Sequence, residues 1–352
     1  MRDDLELLEL MLADERCQPP LYRPGPYWTG YQKRVASALR RFGLSNFRQR
    51  PEIGKGYADT IRKHPSEMWL EQGRLRFAVK SLLASLPLVR GMLADAQRIA
   101  RINLDEARLF RDRFYQATLS EWLYRATAGT SMPETTAGGC EDLVTINGQR
   151  VAYIYLNLLM RMENFAHDVD FARSRSAMEI GGGFGGWMHL LISRYPNVRK
   201  VVYIDIPPMI YVGTQYLRQF FGDSVVDYRV TRARARLSFA ENESLEIMCL
   251  CPWQIERLDA TIDVFSNAAS FREMPLAIVR NYARHVERVL TPITGAACLR
   301  LEDPSASTKE GMTGADEILA AFGGLSFEYA VPVIEEVSPR IYAVGRKLAG
   351  TT

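Results

Sequence analysis

Residues 177–186 read Ala-Met-Glu-Ile-Gly-Gly-Gly-Phe-Gly-Gly, so five of the six positions from 181 to 186 are glycine. A short apolar run carries Glu179 near its end, and Trp187-Met188-His189-Leu190-Leu191 follows with a helical pattern. Strand, glycine loop and helix are thus predicted in that order. Gly181, Gly183 and Gly185 let the backbone turn tightly and approach a ligand where a Cβ would intrude. Further on, Lys200-Val-Val-Tyr-Ile-Asp205 predicts a second buried strand that delivers a carboxylate. An acid about 20 residues past such a loop is placed to accept from both hydroxyls of a ribose. The chemistry these residues suit is the binding of a nucleoside.

Two patterns fit the loop. Gly181, Gly183 and Gly186 spell the G-x-G-x-x-G of a dinucleotide site. Glu179, Gly181, Gly183 and Gly185 spell the acidic-x-G-x-G-x-G found where S-adenosylmethionine is bound. The second is favoured, because Glu179 can hold an ammonium group and would repel a pyrophosphate. On that reading Glu179 and the glycine backbone hold the methionine part and Asp205 the ribose. Ile206 covers one face of the adenine. Trp253, in Cys251-Pro-Trp-Gln254 after another strand, flanks the adenine or simply packs. Asn267, after the expected strand 262–266, completes the cofactor set.

Methyl transfer needs a nucleophile aligned with the methyl group and a base to take its proton. Glu273 is the first candidate for that base. The competing reading is an acid at a helix start just before Pro275, favoured by the helix dipole. His189, one turn past the glycine loop, is the second catalytic candidate, against a packing role. His285, among Arg284, Glu287 and Arg288, reads as part of a solvated face, while His64 and His167 lie near connectors. Glu302-Asp303 ends an expected strand and could bind a divalent cation such as magnesium, or be a solvated strand end. No spacing in the chain makes a metal site by itself.

From residue 176 strands and helices alternate, which predicts an α/β fold with a parallel sheet covered by helices on both faces. Strands are expected at 177–180, 200–205, 225–230, 245–250, 262–266 and 296–302, with helices at 185–194, 208–221 and 275–290. Ser326–Val331 and Arg340–Arg346 read as two closing strands, the last inserted antiparallel. Ahead of these, Val144–Val151 reads as a hairpin around Asn147-Gly148 and Ala152–Phe165 as a helix. Residues 1–135 read as mostly helical. They include an acidic-capped helix from Asp3-Asp4, a proline-rich aromatic loop at 19–28, and long-period helix from Glu67 to Ala128 with a capping box at 103–106. The expected division is a helical region at 1–140, concerned with acceptor specificity and a candidate dimer interface, and a nucleotide-binding domain at 141–352.

Composition limits the alternatives. The 352 residues are 47% apolar and include 16 Tyr, 15 Phe and 5 Trp, enough for a substantial core. A net charge of +3 without long basic runs gives no footprint for nucleic acid. The best apolar run, Ser81–Leu93, is broken by Pro87 and Arg90 and is too short to span a membrane. Five cysteines without zinc spacing are expected as free thiols, and the absence of a signal segment predicts a cytoplasmic protein.

Residues 178–222, with Glu-Ile-Gly-Gly-Gly-Phe-Gly-Gly, Tyr-Ile-Asp-Ile-Pro-Pro and Tyr-Leu-Arg-Gln-Phe-Phe-Gly, resemble the sugar O-methyltransferases of bacterial gene clusters. Asp263-Val-Phe-Ser-Asn-Ala-Ala-Ser-Phe-Arg-Glu-Met-Pro275 extends the resemblance, which covers about residues 140–300. It implies a Rossmann-like class I methyltransferase sheet, S-adenosylmethionine as cofactor, and a hydroxyl of a sugar or glycosylated natural product as acceptor. Methylation at nitrogen or carbon, an NAD(P)-dependent oxidoreductase, and an inactive binding protein are the alternatives the sequence leaves open.

Overall fold

A computed structural model describes residues 1–54, 132–141, 143–146, 149–302, 312–332 and 340–348. The long helices expected between residues 67 and 128, the capping box at 103–106, and His64 lie outside the described residues. An antiparallel hairpin, β1 (Leu143–Ile146) and β2 (Gln149–Ala152), pairs Ile146 with Gln149; the Asn147-Gly148 turn expected between them lies outside the described residues.

The main sheet is built from β3 (Ser176–Ile180), β4 (Lys200–Ile204), β5 (Val225–Val226), β6 (Glu246–Leu250), β7 (Val264–Ala268), β8 (Ala296–Glu302), β9 (Leu325–Tyr329) and β10 (Arg340–Lys347). Their order is β5-β6-β4-β3-β7-β8-β10-β9. Strands β3 to β8 run parallel, and β10 enters antiparallel between β8 and β9. All five residues of β3 are buried, as a strand covered on both faces requires. The strand order reverses at β3, which has β4 on one side and β7 on the other. In an open sheet of this kind a crevice forms at the carboxyl ends of the strands at that reversal. Glu179 and Asp205 are both delivered there.

Side chains of alternating parity feed two apolar layers. Ala177, Val201, Tyr203 and Cys249 face α4 (Tyr153–Ala166), α5 (Gly186–Arg194) and α6 (Met209–Phe221). Met178, Ile180, Val202, Ile204 and Phe265 face α8 (Leu276–Val289) and α9 (Ala315–Ala320). The N-terminal residues are part of this core. Helix α1 (Leu5–Glu15) contributes Leu7, Leu8 and Met11, α2 (Pro26–Phe42) contributes Val35 and Leu39, and the short α3 (Pro51–Gly54) contributes Ile53. The Asp4 carboxylate caps α1 through Leu7 N–H and accepts two 2.7 Å bonds from Arg229 on α7 (Tyr228–Ala233), fastening the arm to the sheet edge.

The differences from expectation are local. The strand expected over 225–230 stops at Val226, because the Asp227 side chain accepts from Arg229 N–H and starts α7 instead. The strand expected at 262–266 is shifted to 264–268. His285 is buried at 7% exposure, not on a solvated face: Tyr22 from the proline-rich loop lies 3.5 Å from its Nε2. The five cysteines are free thiols, four of them buried. No described helix is long and apolar enough to cross a membrane.

Candidate functional site

The glycine loop is pinned from both neighbouring strands. Gly181 has φ +73°, and its N–H donates to Ile204 O at 2.8 Å. A Cβ at that position would collide with Ser270 Oγ. Gly183 has φ +65°, and its N–H donates to Asp205 Oδ2 at 2.8 Å. Both turns therefore require the left-handed region that glycine adopts without strain. Gly185, at φ +84°, is the residue from which α5 starts.

Asp205 closes the loop rather than hanging free. Its second oxygen, Oδ1, accepts from Ile206 N–H at 2.7 Å. Each carboxylate oxygen keeps a further lone pair, so the group can still accept two hydroxyls. Burial pushes its pKa up to about 7, against the two N–H donors, and the charges of Glu179 and Glu273 act in the same direction as burial. Half-buried Ile206 follows directly and packs against the core.

Glu179 is 2% exposed. Its Oε1 accepts from Arg161 Nη2 of α4 at 3.3 Å, while Oε2 has no hydrogen-bond partner among the described residues. Burial raises its pKa to about 7 even with the guanidinium beside it. A buried carboxylate with one unsatisfied oxygen is costly to leave that way. Where the strand order reverses, that oxygen remains able to accept from a donor group or a cation.

Glu273 ends a 3₁₀ turn, Ser270–Glu273, just after β7. Its Oε2 accepts from the indole N–H of Trp28 at 2.8 Å. Burial lifts its pKa to about 7, the indole opposes this, and Glu302 adds to it. Trp28 sits on α2, where its ring meets Tyr31 edge-on at 5.1 Å, and Tyr27 beside it is half exposed. One turn along the same helix, Gln32 Nε2 donates to Pro207 O at 2.5 Å, two residues beyond Asp205. Helix α2 thus touches both the acid-bearing turn after β7 and the segment after β4.

Several candidates turn out to do other work. Asn267 is 1% exposed; its Nδ2 donates to Ile180 O at 2.8 Å and to Ser270 Oγ at 2.6 Å. It braces the glycine loop, and its amide is occupied by the protein itself. Half-buried Trp253 packs edge-on against Tyr228 at 5.9 Å, and Gln254 is tied to Cys251 N–H and Thr231. His189 is shut between helices: Nδ1 lies 2.6 Å from Tyr155 OH and the ring stacks on Phe220 at 3.8 Å. Burial drives its pKa down to about 3. An imidazole enclosed by α4 and α6 and stacked on Phe220 fits the packing role rather than the catalytic one. Exposed His167 has Asp168 beside it, at 3.4 Å. Glu302 is engaged by Arg272 and by Arg340 at 3.6 Å, and no cluster of three potential metal ligands occurs among the described residues. Two guanidiniums thus already engage the Glu302 carboxylate, and Asp303, the other half of the expected cation site, lies outside the described residues. The sequence reading did not single out Arg161, Ser270, Gln32 or Glu15. For Glu15 a signal existed: Asp14-Glu15 puts two acids in the last turn of α1, where the helix dipole favours bases.

No family model matches the chain, and no curated protein matches it. Among solved structures, the mitomycin 7-O-methyltransferase is 16% identical, with 55% of this chain and 54% of that one aligned at a TM-score of 0.39. Human N-acetylserotonin methyltransferase in complex with SAM is 13% identical over 55% and 53%, at 0.37. The N,N-8-amino-8-demethyl-D-riboflavin dimethyltransferase from Streptomyces davawensis is 12% identical over 56% of each chain, at 0.38. The chain spans about half the length of these proteins. Likeness of that degree says nothing about what this chain binds; its own sheet order and side chains must do so.

Proposed function

We propose that the chain is an S-adenosylmethionine-dependent methyltransferase acting on a hydroxyl of a small molecule, a sugar or glycosylated natural product. The observation that carries the reading is the acidity of the crevice. Glu179, Asp205 and Glu273 converge at the reversal of the strand order closely enough for Asp205 to feel the charge of the other two. A pyrophosphate brought there would be repelled by buried like charges, which water screens poorly. A ligand with a cationic sulfonium and an ammonium group is attracted by them.

The donor set fits this group. The unpartnered Oε2 of Glu179 suits the ammonium, and the spare lone pairs of Asp205 suit the ribose hydroxyls. When bound, the donor supplies a methyl group on a positively charged sulfur, a leaving group that departs as a neutral thioether. The protein's part is then to orient and to move one proton. The loop amides, pinned by Asp205 and Asn267, fix the donor's position. Glu273 takes the proton of the acceptor hydroxyl as the oxygen–methyl bond forms. A neutral amine attacks without prior loss of a proton, so a buried carboxyl poised near neutrality favours oxygen as the methylated atom. Trp28, Tyr27 and Tyr31 offer ring faces that suit the apolar side of a sugar. Residues 1–140 are read as the part that sets acceptor specificity, with a homodimer as a further role for that region.

Calorimetric titration with S-adenosylmethionine, S-adenosylhomocysteine and NADH tests the reading. Micromolar binding of the first two is expected, weakened roughly 100-fold in Asp205→Ala, which removes a charged hydrogen-bonding group. Binding of NADH alone would overturn it.

A further inference from the structure

Glu15, the last residue of α1, is a buried carboxyl outside the machinery described so far, at 6% exposure. Its Oε2 accepts from Gln32 Nε2 at 2.6 Å, and Oε1 has no hydrogen-bond partner among the described residues. The same Gln32 amide donates to Pro207 O, which anchors the Glu15 carboxyl beside the segment that follows Asp205. Strands β4 and β6 are paired with Ile204 opposite Leu250, so Asp205 and Cys251 leave the sheet side by side. Both Glu15 and Asp205 lie close enough to Cys251 for their charges to help raise its thiol pKa, although burial is the main cause. Arg16 and Arg23 act on Glu15 too, and burial still lifts its pKa to about 7.

The chemical order of the donor is amino acid, sulfur, ribose, base. The strand order across the crevice is β3, β4, β6. With the amino-acid end at Glu179 after β3 and the ribose at Asp205 after β4, the base must extend toward the end of β6. That is where α1 brings a buried carboxyl oxygen with no hydrogen-bond partner among the described residues.

We propose that Glu15 reads the adenine of the donor, its Oε1 accepting from the exocyclic amine. This rests on the methyl-donor reading above and adds a specificity residue supplied by the N-terminal helix. An ionised carboxylate only accepts hydrogen bonds. It therefore favours adenine, which presents an amine, over hypoxanthine, which presents a carbonyl oxygen at the same position. The Gln32 contact makes the test sharper. Gln32 presents its amide N–H to Glu15 while held on Pro207 O, so in Glu15→Gln the new side chain must turn its oxygen toward Gln32. Its amide nitrogen then faces the base, and a donor there matches hypoxanthine.

The test is calorimetric binding of S-adenosylhomocysteine and S-inosylhomocysteine to the full chain and to Glu15→Gln and Glu15→Ala. Wild type should prefer the adenine form about 10- to 100-fold, the discrimination of one good base-edge contact. Glu15→Gln should lose or reverse that preference, and Glu15→Ala should bring it within about threefold. Glu15→Gln keeps the shape of the side chain and removes a buried charge, so it reports even if the alanine variant folds poorly. An unchanged preference in either folded variant would overturn the assignment, as would equal binding of the two ligands by wild type. Failure of wild type to bind S-adenosylhomocysteine at all would overturn the methyl-donor reading itself, and this inference with it.

Discussion

Two parts of the molecule bury polar side chains, and they treat them differently. Between α4, α5 and α6, Tyr155 OH is shared between His189 Nδ1 and Tyr216 OH, each at 2.6 Å, and the His189 ring is stacked on Phe220. Along the carboxyl edge of the sheet, Glu179 and Glu15 each keep one oxygen without a partner among the described residues, and Glu273 holds a single indole donor. A folded chain satisfies nearly all its buried polar groups. The Tyr155–His189–Tyr216 cluster obeys that rule within itself. At the edge of the sheet the rule is completed only if something else arrives, and the missing partners are cations and donors. Burial alone thus does not separate the cluster from the edge carboxyls; what distinguishes them is whether the hydrogen bonds close, and around the cluster Trp187 Nε1 and Gln215 Nε2 also lack a partner among the described residues.

The contrast is sharpest where proton transfer is at stake, and there the largest effect is expected. Glu273→Gln preserves the size of the side chain and the oxygen that accepts from Trp28, while removing the ability to take a proton. Turnover should fall about 100- to 10,000-fold, the range of general base catalysis, with donor binding unchanged by calorimetry. Equal losses in donor affinity and turnover would return Glu273 to a role at the start of α8. A full-rate Glu273→Gln enzyme would favour an acceptor that attacks without losing a proton.

The second effect is collective and has opposite signs for the edge acids and the buried histidines. Glu15, Glu179, Asp205 and Glu273 all have folded-state pKa values near 7, above their ordinary 4.5 or 3.8. Acids so raised contribute stability at low pH that is lost as pH climbs through about 7, because the folded state must give up protons it holds more tightly than the unfolded chain. His189 and His285, lowered to about 3 and about 4, do the reverse: their contribution is lost as pH falls from 6.5. Four acids outnumber two histidines, so the ligand-free protein should be most stable near roughly pH 5 and weaken toward pH 8. S-adenosylhomocysteine should restore more at pH 8 than at pH 5, since its ammonium and hydroxyls favour ionised carboxylates. Denaturation midpoints across pH, with and without ligand, check both signs. A free protein that gains stability from pH 5 to pH 8 would mean that the edge carboxyls are already neutralised by partners.

The edge of the sheet was far more legible in the sequence than the partners of its residues. Glycine spacing, two short apolar runs and the acids near their ends name Glu179, Gly181, Gly183, Gly185 and Asp205, because each depends on local backbone geometry. Asn267 looked like a ligand residue on the same grounds, yet its amide ties down Ile180 O and Ser270. Position on a strand end does not say which bonds a side chain has left. His189 misled for a related reason. Residues 186–192 of α5 are buried all the way round, so the amphipathic rule that separates core from surface had no polar face to work with. Trp28 and Gln32 were beyond reach because their roles come from contacts more than 170 residues away in sequence, Gln32 with Pro207 and Trp28 with Glu273.

The smallest effect tests that long-range delivery. Trp28 donates to Glu273 and so stabilises its ionised form; the indole is the chief influence opposing burial. In Trp28→Phe an aromatic ring remains but the N–H is gone. A hydrogen bond of about 1 kcal/mol is worth roughly 0.7 pH unit, so the rising limb of the kcat–pH profile should move upward by about that amount. With Glu273 starting near 7, turnover at pH 7 should fall only about threefold and should recover at pH 9. A lost ring contact with the acceptor would instead raise KM at every pH and leave the limb where it was. The two outcomes separate a residue that tunes the base from one that merely lines the crevice. A profile and KM both unchanged would mean that α2 does not touch Glu273 during turnover, and the edge would then have to find its missing partners without the N-terminal helices.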